Sequence, residues 1–288
     1  MVTKANANKI LKRLKEQEKE EGSLPLLLEF YKKLVQIQSG VQKRIGTPKV
    51  NPSSATLQKR QMQGLPMIDF NEIDLDWTLL RELFVKITAA FAENPQLFGE
   101  IPDNLKVKEA GRLLTKKAVK AWLTGNELPA TLREGVSDAL VESILQATLQ
   151  PFLESYAQAL IKSVKQEQWR QPYCPICGGS PDLAYLEKEV GARWLLCSRC
   201  NTEWLFQRLE CPYCGTKDQS ALSFFSDEEG LYRLYVCEQC KCYLKAIDLR
   251  KTESEVLLPL ERLYTLDLDS QARERGYQYC QKPMAKVT

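Results

Sequence analysis

The chain of 288 residues contains no histidine. That absence excludes Ser-His-Asp and Cys-His catalysis, an imidazole general base, mixed Cys/His zinc fingers and any histidine-ligated metal. A transition-metal site here has to be built from thiolates, with a carboxylate at most. Long apolar runs are missing as well. Stretches such as Leu24 to Leu28 are a few residues long and broken by proline or charge, so no membrane span is expected. The polar, Lys/Glu-rich segment from Lys9 to Glu21 has no apolar core behind it and does not read as a secretory signal, which points to the cytoplasm. A strong net charge is lacking too. The balance of +3 gives no field that would draw the chain to nucleic acid or an anionic membrane.

Cysteine is absent from the first 173 residues, and all ten cysteines lie between Cys174 and Cys280. A change of construction therefore falls near Trp169 to Tyr173. Residues 1–170 read as a helical domain. Ser23-Leu24-Pro25 opens one helix that runs to Gly40. Asp76 caps a second, whose Leu80, Leu83, Phe84, Ile87 and Phe91 form one buried stripe. A third is expected from Asn104 to Thr124 and a fourth from Leu132 to Leu149, with Pro151 ending or kinking it before a fifth. The segment Thr47 to Met67, rich in Pro, Ser, Gln and Gly, reads as an extended loop.

Eight cysteines form four Cys-x-x-Cys pairs: Cys174/Cys177, Cys197/Cys200, Cys211/Cys214 and Cys237/Cys240. Nineteen residues separate the first two pairs and twenty-two the last two, a spacing at which two tight turns close on one tetrahedral ion. Each turn aims two sulfurs at one point about 2.3 Å from the metal. In Cys174-Pro-Ile-Cys-Gly178 and Cys211-Pro-Tyr-Cys-Gly215 the proline fixes the turn and the glycine permits positive φ. Two tandem β-rich modules follow, 171–209 and 210–250, each rubredoxin-like or ribbon-like and each stabilised by its own ion. Iron and zinc both suit four thiolates. An iron–sulfur cluster, a thioredoxin-type dithiol and structural disulfides fit the pairing and a reducing compartment less well. Residues 251–288 read as a C-terminal helix and tail. Cys242 and Cys280, outside the pairs, read as inert buried thiols. The fold class is thus α+β and multidomain.

Between Pro172 and Asp248 there are eight Lys/Arg against eleven Asp/Glu, so the cysteine-bearing part is the acidic part. Two divalent tetrathiolate sites take it from −3 to roughly −7. Phosphate is repelled by such a surface, which counts against a zinc-ribbon nucleic-acid-binding protein.

Four runs, together with Arg208, carry a family resemblance: Tyr173-Cys-Pro-Ile-Cys-Gly-Gly-Ser-Pro181, Gly191-Ala-Arg-Trp-Leu-Leu-Cys-Ser-Arg-Cys-Asn-Thr-Glu-Trp204, Cys211-Pro-Tyr-Cys-Gly215 and Tyr232-Arg-Leu-Tyr-Val-Cys-Glu-Gln-Cys240 with Tyr243-Leu-Lys245. They resemble the formate dehydrogenase accessory protein family FdhE. The resemblance implies a non-enzymatic cytoplasmic factor that contacts the catalytic subunit of formate dehydrogenase during maturation, with the eight paired cysteines as ligands of two ions. By motif, Arg193, Trp204, Arg208, Tyr243 and Lys245 become candidates for exposed partner contacts. A rubredoxin-like electron-transfer or redox-sensing protein is the alternative, open if the ions are iron and closed if they are zinc.

Overall fold

The computed structural model of the chain describes residues 7–49, 52–106 and 108–280. In chain order its helices are α1 (Ala7–Glu21), α2 (Leu26–Gln42), α3 (Ser54–Met62), α4 (Trp77–Ala92), α5 (Pro95–Phe98), α6 (Asp103–Lys106), α7 (Lys116–Thr124), α8 (Ala130–Arg133), α9 (Asp138–Leu160), α10 (Leu258–Tyr264) and α11 (Leu266–Glu274). Six strands lie between α9 and α10: β1 (Pro181–Leu186), β2 (Arg193–Cys197), β3 (Glu203–Leu205), β4 (Leu222–Ser226), β5 (Tyr232–Cys237) and β6 (Tyr243–Asp248). Residues 7–49 and 70–159 make one compact unit, and residues 52–69 with 160–280 make the other.

In the helical unit, α4 begins where its cap predicts. The Asp76 carboxylate accepts from the Leu79 N–H at 3.0 Å, and Leu80, Leu83, Phe84, Ile87 and Phe91 are all buried. Phe91 meets Phe30 of α2 and Phe98 of α5 at ring-centroid distances of 4.9 and 4.5 Å. The helix expected over Asn104 to Thr124 is broken instead. Thr115 caps α7 by accepting from the Ala118 N–H at 3.2 Å, so the chain restarts there, and Gly125 ends it at φ 67°.

Pro151 does not end α9, which runs through it. A proline in a helix leaves the carbonyl four residues back without its N–H. That carbonyl belongs to Ala147, and the Gln38 side-chain amide donates to it at 2.8 Å. A tertiary contact fills the gap that the local sequence leaves.

The second unit is organised by one sheet in the order β3-β2-β1-β6-β5-β4. Neighbours are antiparallel except β1 and β6, which run parallel with Leu183 to Leu186 beside Lys245 to Asp248. The halves expected as separate modules therefore share a sheet, and the join is its buried centre: Leu183, Ala184, Leu186, Ala246 and Ile247 are at most 1% exposed. The C-terminal helices belong to this unit too. Leu268 and Ala272 of α11 pack with Leu234, Val236 and Tyr243 of the sheet.

The segment Thr47 to Met67 is not a featureless loop. Ser53 caps α3 by accepting from the Thr56 N–H at 3.3 Å. Only Leu57 and Gln61 of this helix are buried, which is why it shows no apolar stripe. Gln61 holds it by a reciprocal pair, donating to the Lys165 carbonyl at 2.6 Å and accepting from the Lys165 N–H at 3.1 Å.

Candidate metal centres

Each Cys-x-x-Cys pair sits on a turn of the same construction. The N–H four residues after the first cysteine donates back to that cysteine's carbonyl: Gly178 to Cys174 at 3.0 Å, Asn201 to Cys197 at 3.3 Å, Gly215 to Cys211 at 2.9 Å and Lys241 to Cys237 at 2.8 Å. The first cysteine's own N–H donates to the carbonyl five residues on, namely Gly179, Thr202, Thr216 and Cys242. The fourth residue after the first cysteine is left-handed in all four, at φ 70°, 54°, 78° and 56°. The glycines at 178 and 215 supply that conformation freely, whereas Asn201 and Lys241 hold it against their Cβ. Within these turns the N–H groups of Ile176, Arg199 and Tyr213 donate to the sulfurs of Cys174, Cys197 and Cys211 at 3.3 to 3.4 Å.

The turns converge two by two. Cys174, Cys177, Cys197 and Cys200 form one group and Cys211, Cys214, Cys237 and Cys240 the other, with every sulfur of a group within 4.8 Å of the rest. A tetrahedron with 2.3 Å bonds sets its sulfurs ~3.8 Å apart. In the first group the separations include 3.5 Å for Cys174–Cys200, 3.5 Å for Cys177–Cys197 and 3.4 Å for Cys177–Cys200. In the second, Cys211–Cys240 and Cys214–Cys237 are both 3.7 Å apart. The donor sets fit one ion each, and each group could hold a metal ion.

Their surroundings differ. The first group is buried throughout, whereas Cys214 of the second is exposed and Cys240 half-buried. Burial pushes the Cys174 and Cys200 thiols up, while hydrogen bonds from the thiols of Cys174, Cys197 and Cys200 pull Cys177 down. In the second group burial raises Cys211 to about 11 and raises Cys240 too. At Cys214 burial is outweighed by the Thr216 N–H and the neighbouring thiols, and the net shift is downward.

Four of the five candidate contact residues lie inside the unit, contrary to the expectation that they are exposed. Arg193 is 3% exposed, Trp204 0%, Tyr243 4% and Lys245 6%; Arg208 alone is at the surface. Each buried member has an internal task. The Trp204 indole donates to the Gln171 carbonyl at 3.1 Å. Tyr243 donates to Asp269 of α11 at 2.7 Å, and the Lys245 ammonium reaches the same carboxylate at 2.7 Å and the carbonyls of Arg262 and Thr265. Arg193 crosses from the first half to the carbonyls of Gln207 and Glu210, just before Cys211. Burial lowers its pKa to about 10, and the guanidinium remains a positive charge beside the second group.

Two features have no counterpart in the sequence reading. Arg262 of α10 braces the first group, donating to both oxygens of Asp182 at 2.7 and 3.0 Å, to the Cys197 carbonyl at 2.8 Å and to the Asn201 side chain. Cys242 and Cys280 are not inert thiols; they are joined by a disulfide with Cα atoms 5.7 Å apart. A parallel bridge between Cys242 and Gln278 brings the two stretches together, a tertiary pairing that cysteine spacing does not report.

Among the described residues, no helix is long and apolar enough to cross a membrane. Residues 173–208, which span the first group, match the family model described as FdhE, central domain. An FdhE homologue from Aquifex aeolicus strain VF5 is 26% identical over 255 residues, covering 87% of this chain and 85% of that protein. One from Stutzerimonas stutzeri strain A1501 is 32% identical over 184 residues, covering 62% and 59%. The crystal structure of the FdhE protein from Pseudomonas aeruginosa superposes with a TM-score of 0.63 at 22% identity, over 96% of this chain and 93% of that one, and shares the fold.

Proposed function

We propose that the chain, which is similar to FdhE proteins over most of its length, is a non-enzymatic, metal-binding accessory factor of that family that engages the catalytic subunit of formate dehydrogenase during maturation in the cytoplasm. The eight paired cysteines are the ligands of two ions, iron or zinc, one per group. The observation that carries this reading is the fourfold repeat of one knuckle geometry, converging on two sulfur sets of tetrahedral size within a single sheet. Such centres fasten a sheet whose halves are too small to fold unaided, and leave its surface for a partner.

Co-purification tests the partner. A tagged chain from anaerobic cells making formate dehydrogenase is expected to retain the catalytic subunit. Undiminished formate dehydrogenase activity in cells lacking the chain would overturn the reading.

A second reading, one-electron transfer or redox sensing through iron, is favoured by the unequal burial of the two groups. Exposed Cys214 gives electrons a short path to the second centre. Metal analysis with a visible spectrum on protein purified without air separates the two. Thiolate-to-iron absorption supports the redox reading, and two colourless zinc ions exclude it.

A further inference from the structure

The Cys242–Cys280 bond lies outside both four-cysteine groups but closes on the second. Cys242 follows Cys240 by two residues, its carbonyl accepts the bond that shapes the fourth knuckle from the Cys237 N–H, and its side chain lines a cavity shared with Cys211 and Cys237. The segment Tyr277 to Cys280 grips that knuckle residue by residue. The Gln278 N–H donates to the Lys241 carbonyl at 2.8 Å and its carbonyl accepts from the Tyr243 N–H at 3.2 Å. The Tyr277 hydroxyl donates to Glu238, and the Lys241 ammonium lies 5.6 Å from the Tyr277 ring centroid. Neither knuckle of the first group has a cross-link of this kind among the described residues.

We infer that Cys242–Cys280 is a reversible thiol–disulfide site that governs metal exchange at the second centre. The inference rests on the reading of that centre as metal-binding. Cys242 is 5% exposed and Cys280 half-buried, so an incoming dithiol attacks the Cys280 sulfur. The S–S bond breaks, and its electron pair leaves with the Cys242 sulfur, which takes up a proton. The reductant's second thiol then attacks the mixed disulfide and frees Cys280 as a thiol. Two electrons and two protons pass to the protein, and the dithiol departs as a disulfide. The reduced strap keeps its hydrogen bonds and the packing of Tyr277 but loses its covalent tie, and Cys242 becomes a fifth thiol lining the cavity with Cys211 and Cys237. Oxidised, the strap closes the exposed centre; reduced, it lets the ion leave or change.

The test uses the full-length chain loaded with zinc and transferred to an excess of a chromophoric chelator, with and without a phosphine reductant, which takes the bridge to two thiols as it becomes phosphine oxide. Reduction is expected to speed release of one zinc equivalent roughly tenfold or more and to leave the other unchanged. Cys280→Ser, which leaves the buried knuckle intact, is expected to release zinc at the reduced rate under both conditions. Unchanged release after thiol counting has confirmed cleavage overturns the inference alone, as does equal acceleration of both equivalents. A chain that binds no zinc in either redox state overturns the metal reading and the inference with it.

Discussion

The residue four places after each knuckle's first cysteine has one conformation and three chemical solutions. Glycine at 178 and 215 was legible as the last letter of Cys-Pro-x-Cys-Gly, whereas Asn201 and Lys241 were not, because nothing local marks a left-handed lysine. Lys241→Gly is expected to raise stability by about 1 kcal/mol by removing Cβ strain, measured by denaturant titration of the loaded protein. Gly179 fails differently. A Cβ there would lie 2.9 Å from the Cys197 sulfur, so Gly179→Ala is expected to cost the first centre its ion while the second keeps its own, read as metal per chain falling from two to one. Protons compete for the same sulfurs. Burial raises Cys174, Cys200 and Cys211, so at neutral pH an arriving ion must displace their protons. Affinity is therefore expected to rise with pH, by about tenfold per unit for each proton displaced, and zinc to be lost on acidification; competition titrations across pH 6–8 check this.

Elements show where pattern reading succeeds and where it stops. The stripe of α4 was legible because its period and its cap are local. The continuity of α9 through Pro151, the helix at Ser54–Met62 and the parallel β1–β6 join were not, because Gln38, Lys165 and the facing strand supply what the segment itself lacks. Arg262 is the sharpest case. It reaches Asp182 from 80 residues away, and both side chains are 17% exposed. Arg262→Met is expected to destabilise the sheet unit by about 3 kcal/mol, since it strands a partly buried carboxylate and releases the Cys197 carbonyl. Asp182→Asn combined with Arg262→Met should recover part of the loss, which a double-mutant cycle measures. The same reasoning recasts the Tyr-Leu-Lys motif. Tyr243 and Lys245 converge on Asp269, so a motif that carried the resemblance in sequence fastens α11 to the sheet.

For the whole molecule, the expected outcome of stripping the ions is selective. A chelator that removes both should melt the sheet unit and leave the helical unit, which carries no cysteine, folded. Far-ultraviolet dichroism is expected to keep its helical bands while the amide protons of β1, β2, β5 and β6 lose their protection from exchange.

The parallel join also imposes an order on synthesis. Strand β1 leaves the ribosome well before β6, and in between its outer edge has no neighbour. All four sulfurs of the first centre emerge before any of the second, while their brace, Arg262, comes later than both. The first four-sulfur group is therefore complete in sequence while the sheet is still unfinished, and the second is completed only as β5 and the turn before β6 emerge.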